Sequence, residues 1–161
     1  MEKKRKLTAA AFILYLAILT WAILFKFAVG PDTLPFRHEI NLIPFDESLY
    51  AEVIFNIRAF IPIGVYISIF RKNWSAGKRI LAGFLISLAY EAAQFVFSLG
   101  LLDVTDFMTN TAGVWIGIGI YSALRNVFGD KTEKTIDRIA LILEIVFICF
   151  MAVILFAGRG A

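Results

Sequence analysis

Residues 7–29 read LTAAAFILYLAILTWAILFKFAV, and this run decides the class of the fold. A helix rises 1.5 Å per residue, so about 20 consecutive apolar residues cross a bilayer core. The run meets that length with a single charge, Lys26, near its far end, where a long aliphatic stem reaches the interface. The preceding Met1-Glu2-Lys3-Lys4-Arg5-Lys6 resembles the charged start of a secretion signal. The apolar run is too long for a signal core of about 7–15 residues, and no small-x-small cleavage site ends it. It reads as an uncleaved membrane helix.

Composition agrees. Of 161 residues, 60% are hydrophobic and 18% charged, against about 45–50% and 25% in soluble domains. A soluble chain of this size would leave much of that excess in water, where exposed apolar patches drive association. The balance weighs against a soluble enzyme and against disorder. The net charge of +3 does not indicate nucleic acid, because the charges follow a membrane pattern described below. The single cysteine, Cys149, offers neither a disulfide within the chain nor a zinc site.

Four further segments are long and apolar, so the expected fold is an all-α integral membrane protein, one domain over residues 1–161. Its bundle has five transmembrane helices, at about 7–29, 48–70, 80–99, 105–124 and 139–157. Asp46 is the expected N-cap of the second, with Glu47 favourable against its dipole. Pro62 lies within that helix and predicts a kink. Cytoplasmic loops carry the excess of Lys and Arg. The N-terminal tail, the 71–79 loop and the 125–138 loop carry four each, whereas the opposite side carries only Arg37 and Arg159. The expectation is a cytoplasmic N-terminus and an external C-terminus.

Within that frame, several polar residues lie where lipid makes them expensive, at about 2.5–3.5 kcal/mol for an ionisable group near a helix centre. Asn56 and Arg58 fall in the outer half of the second span. Glu91 lies about 16 Å above the inner end of the third, with Gln94 a turn beyond. Asp103, Asp106 and Asn110 lie at or just below the outer surface. Glu91 and Gln94 share a face at i, i+3, and Asp103, Asp106 and Asn110 form a stripe at i, i+3, i+7 that Gly113 and Gly117 continue. The short connection makes the third and fourth helices antiparallel neighbours.

Each residue also has a structural reading. Interhelical hydrogen bonding accounts equally for Asn56, Gln94 and Asn110. Glu91 with Arg58 makes a charge-neutral pair. Asp103 reads first as a cap or solvated carboxylate, Glu144 as an interfacial residue beside the basic loops, His38 as incidental, and Gly113-x-x-x-Gly117 as packing, within a chain or between copies of an oligomer. The excess of carboxylates also suits a divalent cation, with Asp103 and Asp106 as its ligands.

These residues resemble a family. Asn41-Leu42-Ile43-Pro44-Phe45, then Asn56 through Pro62-Ile63-Gly64, then Glu91-x-x-Gln94, then Asp103-x-x-Asp106-x-x-x-Asn110-x-x-Gly113-x-x-x-Gly117 are similar to the VanZ-like family of small bacterial membrane proteins. The blocks cover nearly half the chain. The resemblance implies a multi-pass protein of the bacterial cell membrane that lowers susceptibility to teicoplanin, a lipoglycopeptide, with little effect on vancomycin. Many relatives carry an arginine near the position of Gly100 and an apolar residue at that of Arg58. This chain is therefore expected to supply from Arg58 the positive charge that relatives supply from the loop.

Three functions fit this reading. The first is recognition, in the outer leaflet, of the drug or of a lipid-linked cell-wall precursor. The second is an intramembrane enzyme acting on a lipid headgroup, with Glu91 and Asp106 as candidate acid and base. The third is a small transporter or flippase, for which five helices without an inverted repeat are few.

Overall fold

A computed structural model describes residues 2–24, 37–46 and 50–157. The element order is α1 (Glu2–Leu24), β1 (Arg37–Asn41), α2 (Tyr50–Phe70), α3 (Ala76–Val96), β2 (Leu99–Asp103), α4 (Val104–Phe128) and α5 (Thr132–Ala157). Three of these helices are long and apolar enough to cross a membrane: α1 over Lys6–Leu24, α2 and α3. The protein is mostly helical, as expected, with one departure. β1 and β2 pair in parallel, Arg37 opposite Leu99 and Asn41 opposite Asp103. The expected third span to residue 99 therefore stops at Val96, and the short acidic connection is a strand.

Local chemistry explains these boundaries. Ser75 caps α3, its side chain accepting from the Lys78 N–H at 3.4 Å. At the far end, Ser98 adopts a left-handed φ of 55°, which ends the helix and turns the chain into β2. Asp103 then caps α4, accepting the Thr105 N–H at 2.7 Å. Gly129, with φ 53°, closes α4 into a single 3-10 turn that leads to α5. The tail residues from Glu2 belong to α1, so the first helix begins earlier than the apolar run. α2 is described from Tyr50, and the residues that would follow an Asp46 cap lie outside the described residues. Lys26, Glu47 and Arg159 lie outside the described residues, as do the side chain of His38 and the end of the first predicted span.

The core is built on α2 against α4. A Cβ at Gly64 would strike the Val114 carbonyl of α4, one at Gly113 the Ile57 carbonyl, and one at Gly117 the Ile61 carbonyl and, at 3.1 Å, the Gly64 Cα. Three glycines thus bring two backbones into direct contact, the small-residue packing that membrane helices favour. The glycine face of α4 is consumed within the chain, which removes it as a face between copies. Phe60, Ile63 and Val114 are fully buried beside it, with Leu19 and Ile23 of α1. α2 continues through Pro62 to Phe70. Near the proline, the Tyr15 hydroxyl of α1 donates to the Ala59 carbonyl, the kind of outside partner that lets membrane helices hold a proline.

Candidate functional site

The start of α4 gathers four elements. Asp103 is 8% exposed. Its Oδ1 accepts the Thr105 N–H at 2.7 Å, and its Oδ2 accepts the Asn41 side-chain amide of β1 at 3.1 Å. Its own N–H points to Glu91 Oε2 of α3 at 3.4 Å. The register opposing Asn41 and Asp103 makes this cross-strand bond possible. The Asn41 amide also donates to the Asp46 carbonyl at 3.2 Å, while its oxygen accepts the Ile43 N–H at 3.0 Å. The Phe45 N–H donates to Thr105 Oγ1 at 2.9 Å, with Phe45 itself in a left-handed φ of 61°. The Asn41–Phe45 loop is thereby docked on the end of α4.

One turn into α4, Asp106 Oδ1 accepts the Asn56 amide of α2 at 2.6 Å. A turn deeper, the Asn110 amide donates to Ser87 Oγ of α3 at 2.9 Å. On the other flank of α3, the Gln94 amide donates to the Ile23 carbonyl of α1 at 3.2 Å. Glu91, Gln94 and Asn110 are all at least 98% buried. Six of the seven expected residues therefore occupy one end of the bundle, linked through α1, α2, α3, β1 and α4.

Arg58 is the exception. It is exposed, and among the described residues it makes no hydrogen bond or ion pair. Asn56 and Arg58 are two residues apart and diverge by about 200° around the helix, so when one faces α4 the other faces away. The expected Glu91–Arg58 pair does not form. Position 100 itself is occupied by packing: a Cβ on Gly100 would meet the Gln94 side-chain nitrogen at 2.9 Å.

Three buried oxygens at this end lack partners, Gln94 Oε1, Asn110 Oδ1 and Thr111 Oγ1. A buried acceptor left unpaired costs about 1–3 kcal/mol. With the carboxylates of Glu91, Asp103 and Asp106, they make the site rich in acceptors. The divalent-cation reading is not carried by this geometry. Both Asp103 oxygens are engaged by the cap and by Asn41, and no group of three His, Cys, Asp or Glu among the described residues is placed to hold a metal. Beside the site, on the flank between α3 and α4, lies an apolar groove of about 570 Å³. It is lined by Phe84, Leu88, Val104, Phe107, Met108 and Thr111.

Asn41, Ser87 and Thr105 enter the site without having been singled out. Asn41 stands in the Asn-Leu-Ile-Pro-Phe block, but nothing local reports its strand partner. Ser87 shows a signal in hindsight, since Ser87, Glu91 and Gln94 fall at i, i+4 and i+7 on one face. Glu144, expected at the interface, is buried at 7% exposure.

The chain is 29% identical over 150 residues to Protein VanZ of Enterococcus faecium, covering 91% of each chain. No solved structure matches. Residues 12–125, which hold all the site residues named above, match the VanZ/LLP1 family, and the chain belongs to it.

Proposed function

We propose that the chain crosses the bacterial cell membrane five times, with the N-terminus cytoplasmic and the C-terminus outside. The end holding Asp103 and Asp106 then lies in the outer leaflet. The placement of Lys and Arg supports that orientation. In this setting the protein lowers susceptibility to lipoglycopeptide antibiotics by recognising the drug or a lipid-linked cell-wall precursor. Its membership of the VanZ/LLP1 family supports the phenotype.

The observation that carries the recognition reading is the acceptor-rich end of α4, with Gln94 Oε1 and Asn110 Oδ1 buried and unpartnered. Such a site receives a ligand that donates N–H or O–H groups, which peptide and sugar moieties supply. The apolar groove beside it suits the acyl chain of the same ligand. Binding of this kind needs no covalent chemistry.

The test is susceptibility to teicoplanin and to vancomycin in a sensitive Gram-positive host. Strains express wild type, Glu91→Gln or Asp106→Asn at matched membrane levels. Selective protection by wild type, lost in both variants, is the expected result. Intact protection in both variants would reduce the cluster to structural glue. Unchanged membrane lipid composition, by mass spectrometry, separates recognition from turnover of a lipid headgroup.

A further inference from the structure

The turn between α2 and α3 gathers four cations within nine residues, Arg71, Lys72, Lys78 and Arg79. It joins two helices that are each long and apolar enough to cross a membrane. In a membrane it therefore sits at the surface, at the end of α3 away from Asp103. Its backbone is held from within. The Arg79 guanidinium donates to the Lys72 carbonyl at 2.8 Å, to the Arg71 carbonyl at 3.3 Å and to Ser68 Oγ at 3.5 Å. The Trp74 N–H donates to the same Arg71 carbonyl at 3.0 Å. Arg79 thus satisfies the last carbonyls of α2 and ties the start of α3 to them.

The other three cations face outward. The Arg71 guanidinium lies 5.3 Å from the centroid of the Trp74 ring, and both side chains are exposed. Tryptophan is the ring that membrane interfaces favour. Lys72 pairs with Glu133 of α5. Lys78 is exposed on the first turn of α3. The backbone beside it is open, since a Cβ on Gly77 would meet nothing within 4 Å. Among the described carboxylates near Glu133, Asp130 is exposed on the 3-10 turn and Asp137 is buried and bonded to Thr8. Four cations against the single carboxylate that touches them leave the turn positive, and an anion relieves their repulsion.

A second feature says which anion. Lys78, Leu81, Leu85 and Leu88 fall at i, i+3, i+7 and i+10, on one face of α3. Leu81, Leu85 and Leu88 are 56%, 53% and 41% exposed. One cation at the membrane surface therefore heads a track of exposed leucines running into the membrane, the order of parts in a phospholipid. We propose that the α2–α3 turn and this face of α3 form a binding site for an anionic phospholipid. Arg71, Lys78 and the first N–H groups of α3 receive the phosphate. The acyl chain lies along the three leucines. The site is separate from the Asp103 end and stands independently of the drug-recognition reading.

The experiment uses the full chain in detergent micelles doped with phosphatidylglycerol, or with phosphatidylcholine at the same mole fraction, and follows thermal unfolding. The expected result is a Tm that climbs with phosphatidylglycerol and not with phosphatidylcholine. The titration yields a Kd that rises about tenfold in Lys78→Gln and about tenfold in Arg71→Gln, one charge-assisted bond lost in each. Arg58→Leu removes an exposed arginine from the half of α2 nearer Tyr50 and should keep the wild-type Kd. Native mass spectrometry, counting lipid retained per chain, makes the same comparison for a variant that melts early. Inorganic phosphate should leave Tm unmoved; a rise as large as that with phosphatidylglycerol would mark a site for free anions and overturn the lipid assignment. An equal response to both lipids, or a wild-type Kd in both glutamine variants, overturns the proposal.

Discussion

Two alanine substitutions on one helix, two residues apart, should move stability in opposite directions. At Gly117 a Cβ would fall within the Ile61 carbonyl oxygen, with Ile61 C at 3.0 Å and the Gly64 Cα at 3.1 Å. All three obstacles are backbone on the facing helix, so no side-chain rotation relieves them, and α2 and α4 must part. Overpacking costs about 1–3 kcal/mol, and a backbone obstacle puts Gly117→Ala near the top, at about 3 kcal/mol. For a chain of this size, roughly 2–4 °C per kcal/mol gives a fall in Tm of about 6–12 °C. At Gly119 a Cβ meets nothing within 4 Å. Gly119→Ala gains only helix propensity, about 0.8–1 kcal/mol, and Tm should rise by about 2–4 °C. The assay is thermal unfolding of both variants in the same detergent, followed by far-UV circular dichroism. Equal shifts of one sign, or a Gly117→Ala protein that melts with wild type, would refute the backbone contact. Because α2 also carries Asn56, parting the helices should weaken the Asn56–Asp106 bond and any protection that depends on it.

Other expectations follow from single contacts. Arg58→Leu should leave Tm and antibiotic protection unchanged, as its side chain touches nothing at the site; a loss of protection would restore it to the machinery. Thr8→Val keeps shape but removes the donor to Asp137 Oδ2, and should lower stability by about 1–3 kcal/mol in thermal or denaturant unfolding. Asn56→Leu withdraws a 2.6 Å bond from a carboxylate, at a cost of about 1.5–3 kcal/mol, and should abolish protection in the susceptibility assay.

The sequence by itself determined the apolar helices and much of the candidate site. Hydrophobic length is a local property, and so is the stripe of Asp103, Asp106 and Asn110, since positions i, i+3 and i+7 share a helix face whatever lies around them. The residue set of Glu91, Gln94 and Asn56 was legible for a related reason: polar groups are rare enough in apolar runs to mark themselves. Only tertiary structure decided how each helix is turned about its axis. That rotation is set where Gly64, Gly113 and Gly117 let α2 and α4 touch, and it directs Asn56 to Asp106 while sending Arg58 outward. It also decided the pairing of Arg37–Asn41 with Leu99–Asp103, which joins segments about sixty residues apart and brings Asn41 to the α4 cap. The burial of Asp137 and Glu144 is of the same kind. A helix presents its carboxylates to lipid, water or a neighbour according to what packs against it, and α1 and Tyr66 come from elsewhere in the chain.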